Sequence, residues 1–404
     1  FTAMPVKVHA DSTGPVPLKK LPVREMAHQA LVASLYYDYD RWFEVFNKNI
    51  RELESAPPTA DNRLELMKFY FSFSGLLGEL THTLAFTSKY KIQSVEDEFI
   101  YYSKRTKDTA HEVLKLPGIN SRQKAEAYLY LGGAEGYIGI FEYGKGHIFS
   151  ALINGFQADD HLEEALFLDP EQVDAYFGLG LYRYGNSRLG GISNLLMQAG
   201  RDLRQVGLDH IEHAISHDSR TMPLALKTLT WFYISEQINP DNADLPPDNL
   251  LSRARCRKRT LELFRKLDVL YFEKLPYRSF PGNKEIALMK AVQFALDGEY
   301  QKAQTEFSRV LEISRFLQNE KNLAINPQLV QTVEAAIKFY SLMLAEPDKN
   351  NEQAVRSVCL QIDEQVTFLN SGGTMIEYDS KKIRGELHGV FAKALNGLSK
   401  KQGC

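Results

Sequence analysis

A chain of 404 residues with 44% hydrophobic and 25% charged side chains can bury a sizeable core, which excludes wholesale disorder. Its net charge of −3 excludes a general pull toward nucleic acid or an anionic membrane, since both need an excess of Lys and Arg. Cys256, Cys359 and Cys404 form no CxxC pair, which excludes a thiol redox motif and a zinc knuckle and leaves one disulfide open.

Residues 1–21 read as a disordered tail: Pro5, Gly14, Pro15 and Pro17 break periodicity and Lys19-Lys20 keep the stretch wet. Helical periodicity begins at residue 22 and rarely stops. No apolar run reaches the roughly 18–20 residues of a membrane-spanning helix, so no transmembrane segment is expected. A first long helix, Ala127 to Tyr143, precedes a segment with Ala158, Leu162, Ala165 and Pro170 at relative positions 0, 4, 7 and 12. Positions 0, 4 and 7 share one helix face, where small residues let a neighbouring helix approach, and the proline ends the helix. Ala175 to Tyr182 then pairs with Gly207, Ile211 and Ala214, and Ala287 to Leu296 pairs with Gly298, Tyr300, Ala303, Phe307 and Val310. Asn239–Asn249 is polar and Pro-rich, a loop inside the array. Asn370-Ser-Gly-Gly-Thr separates a last helix, Asp379 to Leu398, which is expected to cap the array.

Leu131-Gly132 and Leu179-Gly180 set a large residue beside a very small one on the first helix of a pair. Together with Ala291, Phe294, Gly298, Tyr300, Ala303 and Phe307, this spacing resembles the tetratricopeptide repeat over residues 22–345. Pro57, Pro117, Pro170 and Ser219 lie about 50 to 60 residues apart, against about 34 in a standard repeat. The resemblance implies an all-α TPR-like solenoid (an α-α superhelix) of five to six irregular helix pairs over residues 22–369, with residues 370–404 as capping helix and tail. The Gly178-Leu-Gly-Leu-Tyr182 phrase is similar to divergent bacterial repeat proteins. That implies a soluble bacterial protein of cytoplasm or periplasm, the latter with a leader removed before Phe1.

Candidate chemistry is sparse. Asp209-His210-Ile-Glu-His213-Ala-Ile-Ser-His217 places three imidazoles on one helix face, where they could meet one divalent metal, although Ile211, Ala214 and Ile215 claim the packing face. The HExxH pattern with its general base is absent. The glycine-rich segment Gly185–Ser193 is expected as a loop interrupting a hairpin; its Arg188, with Arg183, could receive an anion, but no Walker loop follows. Arg253–Arg259 is a dense basic run without interleaved aromatics and reads as a solvated helix start. No GxSxG elbow appears and the paired carboxylates lie on amphipathic helices, so no enzyme and no cofactor are expected. Aromatics concentrate between residues 126 and 231. Tyr128, Tyr137, Phe141, Tyr143, His147, Tyr176, Tyr182 and Tyr184, with Arg188, are expected to line a concave surface for a protein or peptide partner. The alternative is a small-ligand or metal-binding component of a cell-envelope or transport system.

Overall fold

In the computed structural model, residues 22–85, 93–273, 282–321, 327–371, 373 and 381–404 are described, and they hold sixteen α-helices and no strand. The expected N-terminal tail and most of the segment before the last helix lie outside them. Local signals set many boundaries. Asn120 and Gln123 form a reciprocal capping box that opens α5 (Ser121–Gly144), and the side chain of Asn283 accepts the first amides of α12 (Lys284–Leu296). α6 (Ile148–Leu168) stops where Asp169 turns extended ahead of Pro170. α7 (Val173–Leu189) reverses into α8 (Gly191–Gln198) at Gly190 and Gly191, both at positive φ, where a side chain would be strained.

Five helix pairs pack as hairpins: α3 (Ala60–Ala85) with α4 (Gln93–Leu114), α5 with α6, α7 with α9 (Arg204–Ser216), α10 (Met222–Ile238) with α11 (Arg253–Leu267), and α12 with α13 (Tyr300–Lys321). Neighbouring hairpins touch through α4 and α5, α6 and α7, and α9 and α10. The second helix of each pair buries residues at positions 0, 4 and 7. They are Thr106, Ala110 and Val113 in α4, Ala158, Leu162 and Ala165 in α6, and Gly207, Ile211 and Ala214 in α9. In α11 they are Cys256, Thr260 and Leu263, and in α13 Ala303, Phe307 and Val310. Each large side chain in these rows contributes about 1.5–3 kcal/mol through burial.

Two hairpins repeat one close contact. A Cβ on Gly132 would come within 2.8 Å of Leu162 Cγ and 3.0 Å of the Ala158 carbonyl oxygen. A Cβ on Gly180 would come within 2.5 Å of Ile211 Cγ1 and 2.7 Å of the Gly207 carbonyl oxygen. Glycine on the first helix thus admits the 0 and 4 positions of the second, and α7–α9 departs only by the inserted α8.

α10 is largely buried on every side, and its polar side chains Lys227, Glu236 and Gln237 are met by charged or polar partners. α1 (Val23–Ser34) lies between α3 and α10, with His28 bonding the Arg220 carbonyl at 3.0 Å. Lys227 of α10 pairs at 2.7 Å with both Glu79 and Glu285. α2 (Asp40–Glu54) covers α3 through Trp42, Phe46 and Ile50. α14 (Pro327–Met343) follows α13, and α15 (Glu352–Asn370) pairs with α16 (Lys381–Gln402). The last helix, α16, lies against α10 and α15. Ile383, Leu387, Phe391 and Leu395 form its buried stripe, and Phe391 meets Phe339 edge-on at 5.2 Å. Cys404 closes a disulfide with Cys359 of α15. Among the described residues no helix is long and apolar enough to cross a membrane.

Candidate binding surface

The aromatic residues expected to line one concave surface serve different places. Tyr128 stacks on His161 at 5.6 Å, and in the next hairpin Tyr176 meets His210 at 5.5 Å. Tyr137 lies parallel to Phe71 at 5.0 Å, and burial pushes its hydroxyl well above the usual tyrosine range. Phe141 packs on Phe99 at 5.9 Å under the Lys145 ammonium at 4.2 Å. Tyr182 is half-buried, its hydroxyl raised by burial and then by nearby Asp159. Burial likewise raises the Asp159 carboxyl to about 6, against the pull of Arg183. Tyr184 is enclosed: its ring stacks on Phe232 at 3.9 Å and its hydroxyl donates to Glu236 at 2.9 Å. These rings fill space between helices, where their area is worth most.

Arg188 is not an open anion receptor. It is 1% exposed, and its guanidinium lies 3.3 Å from Glu236 and donates to Glu386 and to the Ser235 carbonyl. The segment expected as a loop is helical through Leu189, which carries Arg188 inward under α10 and α16. A second guanidinium, Arg204, holds the other Glu236 oxygen at 2.8 Å. Glu135, also buried, is held by Lys107 at 2.9 Å and His161 at 2.6 Å. The basic run is absorbed in part: Arg259 forks onto both Glu212 oxygens at 2.6 Å, and Arg257 pairs with Asp297.

Of the three histidines, His210 is half-buried beneath Tyr176, His213 stacks on His217 at 4.0 Å, and His217 is exposed. Among the described residues no group of three His, Cys, Asp or Glu side chains is placed to hold a metal ion. Burial, then Arg183 and His213, lowers the His210 pKa from 6.5 to about 4. The neutral ring is the folded form, so its contribution is present above pH 6.5 and lost as pH falls toward 4. The His210→Gln protein is expected to lose less stability than wild type between pH 7 and 5, read by chemical denaturation. Equal acid sensitivity would remove His210 as a cause.

Tyr143 and His147 do face water, His147 bonding Glu142 at 2.8 Å. Around them stands a surface the aromatic pattern did not indicate. Phe149 is 84% exposed, Ile140 66% and Leu195 63%, with Ile148, Ile153, Phe156 and Leu196 also open. They lie on three neighbouring helices: Gly139 packs on Ala151 and Asn154, which sets α5 against α6, and Met197 of α8 presses on Gly155, which sets α8 against α6. α6 therefore carries two apolar rows: Gly155, Ala158 and Leu162 turned inward, and Phe149, Ile153 and Phe156, at i, i+4 and i+7, turned out. A helix needs one such row for its own core, and the second was the signal available in the sequence.

A cavity of about 180 Å³ opens between α9, α10 and α11, lined by Leu208, Asp209, Glu212, Tyr233, Arg255 and Arg259 among others. Comparison with protein-family models, curated proteins and solved structures finds no match.

Proposed function

We propose that this chain is a non-catalytic, TPR-like scaffold, an α-α solenoid folded around α10, that binds a protein partner. The observation that carries the reading is the exposed apolar face of α5, α6 and α8. Open apolar surface of this kind marks interaction sites on otherwise well-covered proteins. The recurring 0, 4, 7 packing of the five hairpins supports the repeat reading. The binding surface moves accordingly from the concave aromatics to the outer side of α6, since Tyr137, Tyr184 and Arg188 are engaged between helices.

A second reading rests on a separate observation. The cavity beside Leu208 is lined by Asp209 and Arg255 next to the Arg259–Glu212 ion pair, a polar lining compatible with a small polar ligand. The Cys359–Cys404 disulfide favours an oxidising compartment, which fits a cell-envelope component.

Native mass spectrometry of gently purified protein separates the two. Bound polypeptide is expected, and the Phe149→Asp/Ile153→Asp protein is expected to lose it at least tenfold while melting like wild type. Extra mass of small-molecule size that survives this double substitution would overturn the protein-binding reading in favour of the cavity.

A further inference from the structure

Resting on that reading, we propose that the partner on the α5–α6–α8 face is a second copy of this chain, joined through a two-fold axis near Ile153. The size of the face is the first argument. Its exposed Phe, Tyr, Ile and Leu side chains leave on the order of 800 Å² open to water, given ~150–250 Å² for a large aromatic side chain. A stable interface of standard size takes about 800 Å² from each partner. No further contributor is required.

The charge pattern is the second argument. A two-fold interface sets each residue near the axis against its own copy or close to it, so a charge there repels itself. Two of the three segments of the face, Ile148–Gln157 on α6 and Gly190–Gly200 around α8, contain no Asp, Glu, Lys or Arg, and the α5 segment carries Glu142 and Lys145 at its edge. A distinct partner imposes no such condition, because it can answer a charge with its opposite. A lipid surface would call for a basic rim. The flanking charges are instead mixed: Glu142 with His147, Lys145 with Glu96, and Asp159 with Arg183.

The geometry of α6 fits as well. Phe149, Ile153 and Phe156 form one ridge along the exposed side of the helix. Two such helices crossing about Ile153 bring the two ridges into contact.

Sedimentation equilibrium of the whole chain tests this directly. The expected mass is twice that of the chain at micromolar concentration, and the Phe149→Glu/Ile153→Glu protein is expected to dissociate at least a hundredfold more readily. Tyr101→Glu, at an exposed aromatic on α4, is expected to leave the dimer unchanged. An Ile153→Cys protein gives a second readout, expected to oxidise to a cross-linked pair across the axis. A wild-type chain that stays monomeric up to about 100 μM would overturn the second-copy proposal, since interfaces of this area bind in the micromolar range or tighter. If native mass spectrometry still shows another polypeptide lost on Phe149→Asp/Ile153→Asp, the binding-scaffold reading survives that result. If no polypeptide is bound at all, both fall.

Discussion

Gly207→Ala is expected to destabilise the protein by about 3 kcal/mol, although the same change in a free helix is stabilising by roughly 1 kcal/mol. The reversal follows from backbone packing. A Cβ on Gly207 would come within 2.6 Å of the Tyr184 backbone nitrogen, 2.7 Å of Tyr184 Cβ and 2.8 Å of the Gly180 carbonyl oxygen. None of these atoms is the far end of a flexible side chain, so α7 and α9 must separate. Tyr184 sits at that crossing and bonds Glu236 of α10, so the displacement reaches the centre of the fold. Gly136→Ala is the matched comparison, since a Cβ there meets only Ala158 Cβ at 4.0 Å. That protein is expected to gain about 0.5–1 kcal/mol. Urea denaturation of the two variants checks both signs. A neutral Gly207→Ala would mean that the α7–α9 crossing is looser than described.

Glu236→Gln is expected to cost about 3–5 kcal/mol, the usual effect of removing one partner from a buried ion pair. Glu236 is 0% exposed and holds Arg204 at 2.8 Å, Arg188 at 3.3 Å, the Tyr184 hydroxyl at 2.9 Å and the Asn242 amide at 2.6 Å. The neutral amide keeps the shape and removes the charge. Arg188 then relies on Glu386 of α16 and Arg204 on the more exposed Asp202. Arg257→Gln breaks a pair on an exposed arginine and is expected to change stability by less than about 0.5 kcal/mol. Denaturant midpoints give the comparison. A Glu236→Gln protein as stable as Arg257→Gln would show that Arg188 and Arg204 find other compensation.

Helix pairing was legible in the sequence because it depends on residues close together along the chain. Ala158, Leu162 and Ala165 declare a packing face by their spacing alone, and Leu131-Gly132 and Leu179-Gly180 declare the close approach that face makes. The inserted α8 was not legible, because Gly185–Ser193 reads as a loop until the chain is seen to stay helical to Leu189. The destination of Arg188 was equally hidden. Its acidic partner Glu386 lies almost 200 residues away, and no local pattern states that α16 returns to α10. Tyr184 shows the same limit, since helical spacing cannot tell whether an aromatic faces a groove or another helix. Phe149, Ile153 and Phe156 were obscured for the opposite reason. Apolar residues at i, i+4 and i+7 ordinarily signify core, and only the inward row of Gly155, Ala158 and Leu162 reveals that the core is already supplied. The histidines were legible as a helix face, but Tyr176 reaches them from a different helix.

The claim that the outer face of α6 is where this chain takes up protein is tested most directly by site-specific photo-crosslinking in cells. A photoreactive residue is placed at Ile153 and, in a separate protein, at the exposed Tyr101 of α4. One defined polypeptide adduct is expected from position 153 and none from position 101. No adduct from position 153, or the same adducts from both, would contradict it.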